Sequence, residues 1–252
     1  MVTIGLLGCG NIGHIIAKYR ENVQIIALYD KIFERAKELE AQTCAVAYES
    51  CEDFLSQDFD LVVEAASIRA VRLYAADVLM HQKDLVIMSV GALSDPVFRT
   101  NLTETARSMK RKIYIPSGAV MGLDNLKVGR ISPMHSLVLK TTKSPASLGI
   151  PADKRTLIFR GKANECIKEF PKNVNVSVAL SLAAGADVDV ELWADPEVDR
   201  NVHEIYAEGE FGDVYIRVRN VPSPDNPATS YLAALSILTL LRDIENPLVV
   251  GT

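Results

Sequence analysis

Cysteine is scarce in this chain. Its 252 residues hold four, Cys9, Cys44, Cys51 and Cys166, with no CxxC spacing and no cluster with the four histidines. That pattern excludes a disulfide framework and a zinc site of the usual spacing, so no metal is expected and the thiols read as small core hydrophobes. A basic excess is also missing: 27 Lys and Arg stand against 32 Asp and Glu, a formal net charge of −5. A nucleic-acid partner would call for a basic face, so none is expected. No apolar run reaches the roughly 18 residues of a membrane helix, so no membrane partner is expected either. The opening "MVTIGLLGCG" enters a strand pattern without the basic lead of a signal peptide, and a cytoplasmic protein is the expectation. There is no internal repeat and no low-complexity tract.

What is present is an ordinary globular composition, 48% hydrophobic and 23% charged, on a chain long enough for one large domain or two joined ones. The first half alternates apolar runs of strand length with amphipathic stretches. "VTIGLLG", "VQIIALYD", "CAVAY", "FDLVVEAAS", "DLVIMSVGA" and "KIYIPSG" read as strands. "KIFERAKELEAQ", "AVRLYAADVLMHQ" and "PVFRTNLTETARSMKRK" read as helices between them. Strands apolar on both faces imply a parallel sheet covered by helices.

After about Gly118 the rhythm changes. "HSLVLKTTK", "RTLIFRGKA", "VDVELWAD", "NVHEIYAEGE" and "GDVYIRVRN" alternate and are separated by turn residues, as antiparallel strands do. "MGLDNLKVGRI" and "NVSVALSLAAG" interrupt them as helices. The "PSPDNP" stretch reads as a rigid turn, and Thr229 or Ser230 as an N-cap for "YLAALSILTLLRDI". That last helix is apolar on most faces and is expected to be largely buried. The division read from these patterns is 1–117 for a dinucleotide-binding domain and 118–227 for a substrate-binding, catalytic domain, with the helix in 228–252 packing back on the first.

The sharpest local signal is Gly8-x-Gly10-x-x-Gly13, with Asn11 and Ile12 between the last two glycines, set between the first strand and a helix. The glycines serve a tight turn, a close approach of backbone to a pyrophosphate, and close helix–strand packing, while the helix N-terminus offers free N–H groups. Asp30 ends the second strand about twenty residues on, where a carboxylate accepts hydrogen bonds from ribose hydroxyls. It would repel a 2′-phosphate, which favours NAD over NADP, although Lys31 beside it softens that repulsion. Ala66 and Ser67, at the end of the fourth strand, are small where ligands of open α/β sheets bind.

The combination of "GCGNIG", "VEAAS", "SVGAL", "IPSGAVMGLDNL", "LKTTK", "FPKNVNVSVALSLAAG", "DRNVHEI", "GEFGDVYIRVRN" and "NPATSYLAALS" resembles the archaeal and bacterial L-aspartate dehydrogenases over nearly the whole chain. The resemblance implies an α/β protein, with a Rossmann-type parallel-sheet domain and a mixed or antiparallel α+β catalytic domain. It implies NAD(P)-dependent oxidation of L-aspartate to iminoaspartate, which is hydrolysed to oxaloacetate and ammonia or delivered to quinolinate synthesis in NAD biosynthesis. It also implies a homodimer, with functional coupling to quinolinate synthase. By the same resemblance His203 is the catalytic residue, and Ala119 and Asn175 hold the nicotinamide end of the cofactor.

The chemistry of imidazole suits that role, since making and hydrolysing an imine near neutral pH requires a group that takes and returns a proton. The other histidines read differently. His14 is a helix-surface residue near the phosphates, His81 closes a helix, and His135 is the one rival to His203. A dicarboxylate needs cationic or amide donors, and Lys140, Thr141, Thr142 and Lys143 are candidates. On a strand Lys140 and Thr142 share one face and Thr141 and Lys143 the other, which leaves open the lysine that meets the substrate. Arg217 and Arg219 read as surface or interface residues and Trp193 as packing. Two alternatives remain at this level: a non-catalytic NAD-binding sensor, and an imine reductase of the dihydrodipicolinate reductase type, whose paired histidines are missing here.

Overall fold

The apolar runs of the first half form parallel strands because each is long enough to span a sheet and is separated from the next by a helix-length crossover. In the computed structural model, which describes residues 1–20, 23–170, 174–224 and 230–251, the order is β1 Val2–Leu7, α1 Asn11–Lys18, β2 Val23–Tyr29, α2 Phe33–Glu40, β3 Val46–Tyr48, α3 Cys51–Leu55, β4 Leu61–Glu64, α4 Ile68–Met80, β5 Asp84–Ile87, α5 Pro96–Met109 and β6 Ile113–Tyr114. The six strands make one sheet in the order β3-β2-β1-β4-β5-β6, every neighbouring pair parallel. This is the doubly wound arrangement, whose order reverses beside β1 and leaves a crevice at the carboxyl ends of β1 and β4.

The second half contributes α6 Leu123–Leu126, β7 Met134–Lys143, α7 Pro145–Leu148, β8 Thr156–Lys162, α8 Ala163–Glu169, α9 Val174–Ala184, β9 Asp189–Ala194, β10 Val202–Gly209, β11 Gly212–Arg219 and α10 Tyr231–Asp243. Its sheet runs β11-β10-β7-β9-β8. Three of its pairs are antiparallel, but β7 and β9 are parallel, so the sheet is mixed where the turn pattern suggested antiparallel strands. The reason lies in the connection: β8, α8 and α9 separate β7 from β9, which is crossover length rather than hairpin length. The helices α7 and α8 did not announce themselves in the pattern.

Two compact units result, Met1–Pro116 with Ala234–Val249, and Ser117–Ala233 with the last three residues. In the first unit Ile4, Leu6, Leu28, Val63 and Val86 of the sheet pack with Ile16, Leu39, Ile237 and Leu241 of the helices. The helix α10 therefore buries one stripe rather than most faces: Ala234, Ile237 and Leu241 are buried, while Leu235 is exposed. The thiols also divide. Cys9 and Cys166 are buried, but Cys44 is exposed and Cys51 half-buried, against the reading of all four as core residues. Residues 225–227 of the "PSPDNP" turn lie outside the described residues, as do Thr229 and residues 171–173 of "FPKNVN".

Candidate functional site

The glycine turn closes β1 onto α1. Gly8 has φ +106°, and a Cβ there would stand 2.7 Å from the Ala65 carbonyl and 2.8 Å from the Ala66 Cβ. Gly13 meets the Gly8 carbonyl oxygen at 2.9 Å from where its own Cβ would be. Gly10, the residue before Asn11 and Ile12 at the start of α1, has nothing within 4 Å of that position. Two glycines are thus required by packing, and the third leaves the helix N-terminus open to an anion.

Asp30 follows β2 and is 8% exposed. Its Oδ2 accepts the Cys9 N–H and its Oδ1 the Ile32 N–H, each at 2.9 Å. The carboxylate therefore pins the glycine turn to β2 while one lone pair on each oxygen remains for a ribose hydroxyl. Cys9 itself does not ionise there: burial, with the nearby Asp30 charge, pushes its thiol up to about 12.

A residue that sequence reasoning passed over holds the neighbouring loops. Glu64, at the end of β4 and 1% exposed, accepts the N–H groups of Ala66, Ser67 and Ser89, each at 2.9 Å, and the Ser89 hydroxyl at 2.8 Å. Burial raises its pKa and the four hydrogen bonds oppose the rise. The only sign in the sequence was an acid ending an otherwise apolar strand, "FDLVVEAAS". Ala66 and Ser67 line the resulting cavity of about 370 Å³, together with Gly8, Gly10, Tyr29, Asp30, Lys31, Arg35, Arg69 and Tyr74. A buried acid, an open glycine at a helix N-terminus and a cavity of this size fit the adenosine and pyrophosphate of a dinucleotide.

In the second unit, β10 lies between β7 and β11, and His203 sits opposite Thr141 of β7. His203 is buried, only 6% exposed. Its Nδ1 is 3.0 Å from the Thr141 hydroxyl. Desolvation, and then the Lys143 charge, lower its pKa to about 4, so the ring is neutral at physiological pH. Lys143, two residues along from Thr141, shares its face and is itself shifted down by burial. Lys140 lies on the opposite face with its Nζ 5.5 Å from the Trp193 ring, and Thr142, also on that face, is buried. The four candidates of "LKTTK" are thus split, and of these only Thr141 and Lys143 share the face of His203.

A second cavity of about 260 Å³ is lined by Lys143, Ser144, Arg200, Asn201, Asn220 and Ser230, among others. Arg200 is paired with Asp199, so Lys143 is the cation in that lining without a carboxylate partner among the described residues. Asn220 is buried, donates to the Ala119 carbonyl at 3.0 Å and accepts the Ser230 hydroxyl at 2.6 Å. It ties the Ala119 turn to the end of β11, another link no local pattern announced. Asn175 lies in the first turn of α9 and is exposed. His135 is exposed near the other end of β7, about 20 Å along the strand from Thr141. His81 closes α4 with its Nδ1 2.8 Å from the Asp77 carbonyl. Among the described residues no group of His, Cys, Asp and Glu could hold a metal, and no helix is long and apolar enough to cross a membrane.

The doubly wound sheet with its glycine turn and buried acid defines the class, an NAD(P)-dependent oxidoreductase. Residues 7–116 match the family model described as homoserine dehydrogenase, NAD binding domain, and residues 124–244 the model described as aspartate dehydrogenase, C-terminal. The L-aspartate dehydrogenase of Methanospirillum hungatei is 62% identical over 252 residues, covering 100% of both chains. That of Methanocaldococcus jannaschii is 43% identical with 100% of both covered. The crystal structure of aspartate dehydrogenase from Thermotoga maritima superposes with a TM-score of 0.84 at 29% identity, covering 100% of each chain. The chain belongs to the L-aspartate dehydrogenase family.

Proposed function

We propose that the protein oxidises L-aspartate to iminoaspartate with NAD or NADP, with His203 as the acid and base of imine formation and hydrolysis. The observation that carries the assignment is the buried Thr141–His203 pair beside Lys143. One ring nitrogen is committed to Thr141, which leaves Nε2 of a neutral imidazole to accept a proton from the substrate amine, or from a water adding to the imine, and to return it. The nicotinamide, when bound, supplies the two-electron redox chemistry.

The protein's part is placement. Lys143 pairs with a substrate carboxylate, with Asn201 and Ser144 of the same cavity as neutral donors. Because burial lowers the Lys143 pKa, this cation is lost at lower pH than an exposed lysine would be. The reading prefers Thr141 and Lys143, which share the face of His203, to Lys140 and Thr142 on the other face. Gly8, Gly10, Asn11, Ile12 and Gly13 receive the pyrophosphate, Asp30 the adenosine ribose, and Ala66 and Ser67 border the cofactor. Ala119, held by Asn220, and Asn175 serve its nicotinamide end. The same reading takes the protein to be a cytoplasmic homodimer whose product passes to quinolinate synthase for NAD synthesis.

The test is consumption of NADH with oxaloacetate and ammonium, NADPH run in parallel, for the wild type and His203→Ala. Turnover should require ammonium and fall by about 10²–10⁴ in the variant, the usual contribution of an acid–base group, with NADH binding retained. Full activity in His203→Ala would remove His203 from the chemistry. Tight NADH binding with no turnover on any small keto acid would replace the enzyme by a sensor.

A further inference from the structure

L-Aspartate carries two carboxylates, and Lys143 answers one of them. The cavity of about 260 Å³ that Lys143 lines holds a second cation, Arg200, whose guanidinium is engaged by its own neighbour in the chain. Among the described residues Asp199 is the one acid in that lining, and the Arg200 Nε donates to both of its oxygens, at 3.0 Å each. Arg219, the last residue of β11, also donates to Asp199, with a terminal nitrogen 3.3 Å from Oδ1. The hydrogen bond from Arg200 and, to a smaller extent, that from Arg219 hold the Asp199 carboxyl down at about 2, so it is ionised throughout the working pH range.

The segment that carries the pair is fixed in register. Val202 of β10 lies opposite Thr142 of β7 and opposite Arg219 of β11, and the Asn201 carbonyl accepts the Asn220 N–H at 2.8 Å. Asp199 and Arg200 therefore enter β10 at the end of the sheet where Lys143 closes β7. The pair itself is loosely held: the Asp199 side chain is 57% exposed and that of Arg200 33%, and solvent screens an ion pair at such exposure. When Arg200 turns away, Asp199 keeps Arg219, so no carboxylate is left uncompensated. We infer that Arg200 exchanges Asp199 for the second carboxylate of the substrate, and that this exchange selects dicarboxylic amino acids. A dicarboxylate offers the guanidinium a bidentate partner in place of Asp199, and a monocarboxylic amino acid does not. The inference deepens the proposed function and rests on it.

The experiment combines steady-state kinetics on L-aspartate with calorimetric titration of succinate, an unreactive dicarboxylate, into the NADH-loaded protein, for the wild type, Arg200→Met, Arg200→Lys and Asp199→Asn. Arg200→Met should raise the KM for L-aspartate and the Kd for succinate by about tenfold or more, the scale of one lost charge-assisted hydrogen bond, with a smaller change in kcat. Arg200→Lys keeps the charge without the fork and should raise both constants less. Asp199→Asn releases Arg200 in advance and should leave both constants at or below their wild-type values, because the substrate no longer competes with a carboxylate. A rise of less than about tenfold in Arg200→Met would overturn the assignment. A rise of either constant in Asp199→Asn would overturn the exchange, since the pair would then serve to hold the segment before β10. Succinate binding without turnover of L-aspartate in the wild type would overturn the proposed function, with the succinate titration still deciding the role of Arg200; a wild type that neither binds succinate nor turns over L-aspartate would overturn both.

Discussion

The cavity of the first unit is framed by backbone turns pinned to buried carboxylates, whereas the pocket of the second depends on side chains brought together across strands. In the first, glycines, peptide N–H groups and two buried carboxylates, Asp30 and Glu64, hold the loops at the ends of β1, β2, β4 and β5. In the second, the Thr141–His203 contact joins residues 62 apart in the chain, and Asn220 joins Ala119 across 101. A backbone-built site recognises what many ligands share, a pyrophosphate and a ribose. A side-chain-built site can set the proton affinity of one ring, and here it lowers His203 to about 4.

The comparison can be broken from either end. After His203→Ala, the largest effect should come from Gly8→Val. The left-handed φ and the contacts with Ala65 and Ala66 admit no side chain, at a cost of several kcal/mol, about 1–3 from backbone strain alone. NADH binding and the melting temperature should fall together. If only binding fell, the turn would be less tightly packed than described.

Lys143→Met keeps the aliphatic stem and deletes the charge. The KM for L-aspartate should rise about tenfold or more, the scale of one lost charge-assisted hydrogen bond, while NADH affinity stays the same. The pH profile should also move in a stated direction. On the proposed mechanism activity needs neutral imidazole and is lost as pH falls through the His203 pKa, a value that burial and then Lys143 depress. Without it the pKa rises from about 4 toward the ordinary imidazole value, and the acid loss begins at higher pH. An unshifted acid limb would uncouple the two residues.

Thr141→Val removes the hydroxyl at Nδ1 and preserves the shape. Leaving that nitrogen unpartnered should lower kcat by about tenfold, within the roughly 1–3 kcal/mol of a buried unsatisfied group, with KM little changed. Thr141→Ser should restore most of the activity, which a purely steric role would not allow. Lys140→Ala should have the smallest effect. It removes a partly exposed cation–π contact with Trp193, worth about 0.5–1 kcal/mol of stability, and should leave turnover unchanged; a raised KM would return Lys140 to the substrate site.

How much of each site was legible follows from how it is built. Gly8 and Gly13 were readable because close backbone approach admits only one residue type, and Asp30 because its distance from the turn is set by one helix and one strand. Glu64 was not, since one acid after an apolar strand looks like any strand end until Ser89 arrives from β5. In the second unit the alternation of "LKTTK" divided its residues into two faces, but which face met His203 depended on the pairing of β10 with β7. The resemblance allowed a mixed second sheet, but the turn pattern alone could not tell it from an antiparallel one, because turn residues mark where a strand stops, not which neighbour it pairs with.

The sequence by itself determined the alternation of strand and helix, the parallel first sheet, the glycine turn between β1 and α1 and, through its resemblance, the family. These depend on local periodicity and on residues whose conformational range is intrinsic. Only the tertiary structure decided that Lys143 and Thr141 rather than Lys140 and Thr142 join His203, that Asn220 holds Ala119, and that Arg35 and Arg69 enter the cavity of Asp30. Register and the packing of distant segments set those neighbours, and the burial they impose is what makes His203 neutral and Lys143 easier to deprotonate.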